Sequence, residues 1–288
     1  MATPTTSPLI TADELRVLLE TGARVRLLDV RYRLEQPDGG PDHQAGHIPG
    51  AVYVDMDTEL ATHGEPTEGR HPVPSREVLQ DAARRWGLNP GDTVVVYDDY
   101  RTVSAARAWW LLTHSGVDDV RVLDGGLSAW IAAGLPLETG DVVPTPGTIE
   151  LEELSGGIAT IDDAESWPAQ GVLIDVRAPE RYRGETEPYD PIAGHVPGAV
   201  NLPAGAYLDG EHFAEPEAIR DALAGAGVRE DAPVAAYCGS GLTAAHLALA
   251  GAVVGVDVTV FPGSWSQWSN TPGRPIATGP TPDGDPAA

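Results

Sequence analysis

The sequence predicts an α/β protein made of two tandem copies of one domain, each a parallel sheet flanked by helices. Two observations predict it. The first is an internal repeat. The turn G-H-I-P-G-A-V at Gly46–Val52 recurs as G-H-V-P-G-A-V at Gly194–Val200, and each follows a strand ending in D-V-R, at Asp29–Arg31 and Asp175–Arg177. Two further pairs keep the same order, Thr93–Asp98 against Pro233–Cys238 and Asp124–Trp130 against Pro262–Trp268, so the copies are offset by about 140 residues. The second observation is alternation: short apolar runs take turns with helical runs such as Ser75–Trp86, Ser104–His114 and Pro216–Ala226, the pattern of βα units on a parallel sheet.

Taken in order, Thr11 to Glu14 reads as a capping box opening a short helix that runs to about Glu20, and Val25–Val30 then reads as a strand. The polar loop after it ends in the first G-H-I-P turn. Leu137–Leu154 is rich in proline and glycine and has no helical period, which marks the boundary between copies. The domains are expected at residues 8–140 and 155–278, with 279–288 a disordered tail. A chain of 288 residues with 42% hydrophobic content is long enough for two such cores.

A net charge of -25 and a pI near 4.4 weigh against nucleic acid and anionic membrane surfaces as partners, since both are held by basic patches. All 18 basic residues are arginine. Without lysine, Schiff-base chemistry, a lysine-anchored pyridoxal cofactor and a Walker-type phosphate loop are excluded. An anionic substrate must then be held by arginine or by backbone. The N-terminal stretch has neither a basic region nor a long apolar run, and one cysteine cannot form an internal disulfide; the expectation is a cytoplasmic protein in a reducing compartment.

That one cysteine lies in the most informative stretch. Val234–Ala250 reads as a buried strand, a tight small-residue loop and a helix, with Cys238 where the strand ends and the helical run beginning at Thr243. Gly239 and Gly241 let the backbone fold around the sulfur, while loop N–H groups and the positive end of a helix suit a thiolate. A core cysteine would not require glycines on both flanks of a serine, and the strand-to-helix turn of an α/β sheet is where ligands bind. A cysteine phosphatase would need arginine six residues after the cysteine, where this chain has Ala244, and its loop would be one residue longer. A zinc site lacks C-x-x-C spacing. His246, in an apolar helical run, reads as packed.

The loop C-G-S-G-L-T at Cys238–Thr243 resembles that of the two-domain rhodanese-type sulfurtransferases, in the mercaptopyruvate form C-G-S-G-V-T and unlike the cationic thiosulfate form C-R-K-G-V-T. The resemblance spans nearly the whole chain. It implies two rhodanese-like domains with an active site in a cleft between them, the cysteine coming from the second. Asp98 stands at the cysteine position of the first copy, which is therefore expected to be structural and substrate-shaping. The segments Ala51–Asp57 and Gly69–Pro74 are similar to those that carry an aspartate and a histidine in mercaptopyruvate enzymes, which implies a proton relay of Ser240, His71 and Asp57. E-R-Y-R-G at Glu180–Gly184 is similar to the substrate-binding G-R-[FY]-x-G and makes Arg181 the expected anion clamp. The family's second arginine, after an E-P pair, is absent: Glu187-Pro188 is followed by Tyr189, leaving Arg183 or Tyr189 to take its place.

The expected reaction moves sulfur from 3-mercaptopyruvate through a Cys238 persulfide to cyanide or a thiol acceptor such as thioredoxin. Gly239, Gly241, Leu242 and Thr243 cradle the persulfide, and no metal or organic cofactor is implied. The alternatives are a thiosulfate:cyanide sulfurtransferase using the same nucleophile and a non-enzymatic persulfide carrier or sensor.

Overall fold

The computed structural model describes residues 7–284. The chain divides into two compact units. The first takes the chain up to Thr62, Val73–Ser155 and Gly210–Phe213; the second takes His63–Pro72, Gly156–Asp209 and the chain from Ala214 on.

In the first unit the strands are β1 (Leu9–Ile10), β2 (Val25–Asp29), β3 (Val52–Tyr53), β4 (Thr93–Tyr97) and β5 (Val120–Leu123), in the spatial order β1-β5-β4-β2-β3, every pair parallel. The second unit carries β6 (Val172–Asp175), β7 (Val200–Asn201), β8 (Val234–Tyr237) and β9 (Val258–Val260) in the order β9-β8-β6-β7, again parallel. The orders superimpose. Even the outer strand β1 has a remnant in the second unit, where Ile158 makes a single parallel bridge to Val260.

The repeated strings encode a hydrogen-bond network as well as core residues such as Ile48 and Ala51, matched by Val196 and Ala199. Arg31 donates from Nε to both oxygens of Asp29 at 3.0 and 3.1 Å and from Nη2 to Asp29 at 2.6 Å and to Gly46 O at 2.7 Å. Arg177 repeats this with Asp175 at 3.0, 3.1 and 2.6 Å and with Gly194 O at 2.6 Å. Each arginine thus ties its strand end to the following G-H-x-P-G turn. Pro at the second position and glycine at the third, with φ +80° at Gly50 and +83° at Gly198, make both turns type II. The tyrosine of the next strand closes the unit: Tyr97 and Tyr237 hydroxyls accept the Ile48 and Val196 N–H groups. Burial disfavours the charge on Asp29, but bonds from His43 and Arg31 hold its carboxyl below the usual range.

The helices expected from the sequence form close to their expected limits. Thr11 accepts from Glu14 N–H and Glu14 accepts from Thr11 N–H, completing the capping box of Ala12–Glu20. Arg76–Arg85, Val103–His114 and Pro216–Gly225 are helical, the first capped by Ser75. The helix after Cys238 begins at Leu242, one residue before the expected Thr243, because Gly241 takes the left-handed conformation (φ +90°) that turns the chain into it. Its residues Leu242 and Ala244–Gly251 are all buried, as a helix covered on every side must be.

Two features differ from the expected 8–140 and 155–278 division. His63–Pro72 packs in the second unit, where Gly69 (φ +91°) lies so close to Gly263 that a Cβ would come 2.9 Å from its carbonyl oxygen, and Arg70 N–H donates to Ser266 Oγ at 2.9 Å. Gly210–Phe213 packs in the first, held by Asp124, which accepts from Phe213 N–H at 3.0 Å. The tail from 279 is ordered as far as it is described: Gly279 N–H donates to Arg183 O, and Pro282 O accepts from Gly198 N–H and meets His195 Nε2 at 3.1 Å. Residues 285–288 of that tail lie outside the described residues. Among the described residues no helix is long and apolar enough to cross a membrane.

Candidate active site

β8 delivers Cys238 to the carboxyl end of the second sheet, the edge at which α/β sheets bind ligands. The cysteine is buried, and Gly241 N–H points at its sulfur with N···Sγ 3.1 Å. Its backbone is fixed on both sides: Cys238 N–H donates to Ser264 Oγ at 3.0 Å, while Cys238 O and Gly239 O accept from Trp265 and Ser266 N–H, each at 2.9 Å. The loop is thereby stitched to the helix Ser264–Asn270.

Ser264 was not among the expected site residues. Its φ is +53°, rare for a residue with a side chain, and its hydroxyl sits between Phe261 O, to which it donates at 2.9 Å, and Cys238 Sγ at 4.0 Å. The signal was present in the sequence. P-G-S-W carries serine where the first copy's D-G-G-L has Gly126.

Arg181 stands on the short helix Pro179–Tyr182 and lays its guanidinium on the loop. A Cβ added to Gly239 would lie 3.4 Å from Nη1 and 3.5 Å from Nη2, so any longer side chain there meets the guanidinium head-on. Glu187, nearly fully buried, aims it: one carboxylate accepts from Arg181 Nε at 3.1 Å and Nη2 at 2.6 Å, from Arg177 Nη1 at 3.1 Å and from Tyr189 N–H at 3.2 Å. In the first unit, where Arg31 matches Arg177, His43 joins the network instead, 2.8 Å from Asp29. Burial opposes the charge on Arg177, but Asp175 and Glu187 raise its pKa and keep it cationic.

Of the other expected residues, Ser240 on the loop and Thr243 in the first turn of the helix are partly exposed, whereas Gly241 and Leu242 are buried. His71 is buried in the second unit, beside Arg70, and Arg70 is two hydrogen bonds from Gly239 by way of Ser266. Asp57 belongs to the first unit, partly exposed on the short helix Met56–Glu59. Arg183 turns to solvent and pairs with Glu185 at 2.7 and 2.9 Å. His246 is fully buried, its Nδ1 3.3 Å from the Tyr207 hydroxyl, as a packed histidine should be.

Among the described residues no cluster of three or more His, Cys, Asp or Glu side chains could hold a metal ion. What the arrangement can do is present one sulfur nucleophile, flanked by a backbone donor and an arginine, at the mouth of a parallel sheet.

The rhodanese-like domain pattern matches residues 11–133 and again 160–271. The chain is 46% identical over 275 residues to SseB of Mycobacterium tuberculosis, provisionally named a thiosulfate sulfurtransferase, covering 94% of this chain and 97% of that one. It is 40% identical over 286 residues to a Pseudomonas aeruginosa protein provisionally named a 3-mercaptopyruvate sulfurtransferase, covering 94% and 98%. The crystal structure of the 3-mercaptopyruvate enzyme SseA from Escherichia coli matches the fold with a TM-score of 0.80 at 30% identity, over 90% of this chain and 99% of that one.

Proposed function

The chain belongs to the rhodanese family and is a sulfurtransferase, and from that premise we propose that it takes sulfur from 3-mercaptopyruvate through a persulfide on Cys238. The thiolate attacks the donor's sulfur, the carbon–sulfur bond breaks, and its electron pair stays on carbon as the enolate of pyruvate. A proton equivalent to the one the donor's thiol gives up must reach that carbon, leaving pyruvate and Cys238–S–S⁻. A second step hands the outer sulfur to cyanide or to a thiol acceptor such as thioredoxin and restores the thiolate.

Proton transfer is the part that needs side chains, and Ser240 and His71 are assigned to it. A positioned histidine is suited to such transfer at neutral pH. Asp57 completes the relay by resemblance. Gly239, Leu242 and Thr243 shape the loop around the persulfide with Gly241, and Arg181 binds the donor's carboxylate. The observation that carries this reading is the loop itself: Gly241 N–H on Sγ, and no cationic side chain anywhere from Cys238 to Thr243. Sulfite leaving from thiosulfate needs charge stabilisation and no proton, so a thiosulfate enzyme would benefit from cations the loop lacks.

The 46% likeness to SseB supports thiosulfate as the second reading. The deciding experiment is kcat/KM for both donors with cyanide as acceptor. Mercaptopyruvate is expected to be preferred; a preference for thiosulfate overturns the assignment. In the same assay His71→Ala, Ser240→Ala and Asp57→Asn should each reduce mercaptopyruvate turnover, by about a hundredfold or more for histidine, and thiosulfate turnover far less. Stoichiometric sulfur uptake without pyruvate turnover would identify a carrier instead.

A further inference from the structure

The family's second substrate arginine is replaced by Tyr189, yet a second guanidinium reaches the same place from 119 residues away. Arg70 lies over one side of the Tyr189 ring, its Cζ 5.8 Å from the centroid, and Arg181 lies 5.2 Å from the same centroid. Both also reach one buried carboxylate: Arg70 Nη2 is 2.5 Å from Asp190 Oδ1, and Arg181 Nη2 is 3.5 Å from Asp190 Oδ2. The backbone of Arg70 is tied to the catalytic loop through Ser266, which accepts from Arg70 N–H and donates to Gly239 O. The side chain is one-quarter exposed and lines an open hollow of about 250 Å³ together with Tyr189 and Asp190. It is therefore accessible, fixed and cationic.

We infer that Arg70 is a specificity-determining residue that binds the donor's carboxylate alongside Arg181, restoring in space the cation lost at position 189. This rests on the proposed 2-oxo acid donor and names the residue that recognises its carboxylate. Around the two guanidinium groups the acids Glu187 and Asp190 offset much of the positive charge, with Arg177 and Asp175 behind them. Arg181 is held most tightly, by Glu187, and Arg70 is the more exposed of the two. An entering carboxylate can then share Arg70 with Asp190 without breaking the bidentate Arg181–Glu187 pair.

Arg183, the alternative by sequence, is engaged with Glu185 at the surface.

The test pairs a binding probe with turnover. Pyruvate, a 2-oxo acid anion without transferable sulfur, is titrated into wild type, Arg70→Ala, Arg70→Lys and Arg70→Ala/Tyr189→Arg by calorimetry, and KM and kcat are measured with mercaptopyruvate. Arg70→Ala should weaken pyruvate binding and raise KM by about tenfold or more while kcat changes less than threefold. Lysine should recover part of the loss, and the double variant should recover most of it because the cation returns at the family's own position. Since Asp190 loses its partner in Arg70→Ala, the lysine and double variants keep the test decisive if that variant folds poorly. Unchanged pyruvate affinity in Arg70→Ala, no measurable pyruvate binding by wild type, or a failure of Tyr189→Arg to rescue a folded protein would each overturn the inference. Failure of the donor reading looks different: wild type prefers thiosulfate in turnover, while pyruvate binding still follows Arg70.

Discussion

At the end of β4 the first unit places Asp98, and at the end of β8 the second unit places Cys238. The Asp98 carboxylate accepts four backbone N–H groups, from Tyr100 at 2.8 Å and Thr102 at 2.9 Å on Oδ1 and from Ser104 at 2.8 Å and Ala105 at 3.0 Å on Oδ2. Cys238 Sγ accepts one, from Gly241. The loop carbonyls are held alike, Asp98 O by Leu127 N–H at 2.8 Å and Cys238 O by Trp265 N–H at 2.9 Å. Both loops are thus anion cradles, one filled by its own side chain. An aspartate carries its charge two bonds beyond Cβ, as a cysteine persulfide would, so the first loop displays in a fixed form what the proposed mechanism brings to the second. The loops reach this by different backbones: Arg101 and Thr102 adopt positive φ of 54° and 60°, whereas the second loop uses Gly241. Four backbone N–H bonds to the side chain offset the strain of two such residues, roughly 1–3 kcal/mol each.

The largest effect expected from breaking the comparison is at the sulfur. Cys238→Ser keeps size and polarity but cannot form a persulfide, so sulfur transfer should fall to background while the melting temperature barely moves. Donor-treated wild type should gain one sulfur, about 32 Da by mass spectrometry, and the variant none. Substantial turnover in the variant would remove Cys238 from the mechanism.

Arg181→Ala comes next. Its guanidinium touches the loop and is aimed by Glu187, so its loss should raise KM for either anionic donor by about ten- to a hundredfold, with lysine restoring only part because it lacks the planar fork. The first unit sharpens this expectation: Arg31 is engaged with Asp29 and with the Asp42 and Gly46 carbonyls, a purely structural set of partners. An unchanged KM would reduce Arg181 to the same structural role.

Asp98→Ala probes the filled cradle. It leaves three buried donors and one part-buried donor without an acceptor and should cost about 3 kcal/mol or more, read as a lower midpoint in urea. Burial pushes the Asp98 carboxyl up to about 7, against the pull of its N–H donors. The native state then keeps a proton that the unfolded chain releases between roughly pH 4 and 7. Stability from this group accordingly falls as pH rises through that window, by up to about 1.4 kcal/mol per pH unit, and levels off above it. Asp98→Asn should lack that slope. Parallel curves for the two proteins would show that Asp98 is ionised throughout.

How much of this was legible depended on whether the interaction was local. D-V-R and G-H-x-P-G-A-V are short strings because each encodes one arginine–carboxylate pair and one type II turn, so the duplication and the parallel sheets could be read directly. The strand, loop and helix around Cys238 are contiguous and were equally plain. Arg70, Glu187 and Asp190 were not, because their roles come from contacts over long loops that leave no period in the sequence. The same holds for His63–Pro72 and Gly210–Phe213, which pack with the other copy's unit, and for Pro282, whose carbonyl is taken by the repeated turn at Gly198.

The smallest expected effect separates strain from positioning at Ser264. In the first unit the matching residue is Gly126, φ +56°, where a Cβ would come 2.4 Å from Asp98 O; in the second, Ser264 tolerates φ +53° and its hydroxyl accepts the Cys238 N–H. Ser264→Ala keeps the strained backbone and removes the acceptor, leaving a buried N–H unsatisfied, a loss of about 1–3 kcal/mol. Ser264→Gly removes the same acceptor but relieves the backbone, recovering about 1 kcal/mol. Glycine should therefore be the more stable of the two variants, both below wild type in urea midpoint. Both should lower kcat, by about tenfold, with KM little changed, because what is lost is the orientation of Cys238 and not the donor's contacts. If Ser264→Gly matched wild type in kcat, the hydroxyl would be irrelevant to the sulfur, and the second loop would need nothing here that the first does not already have.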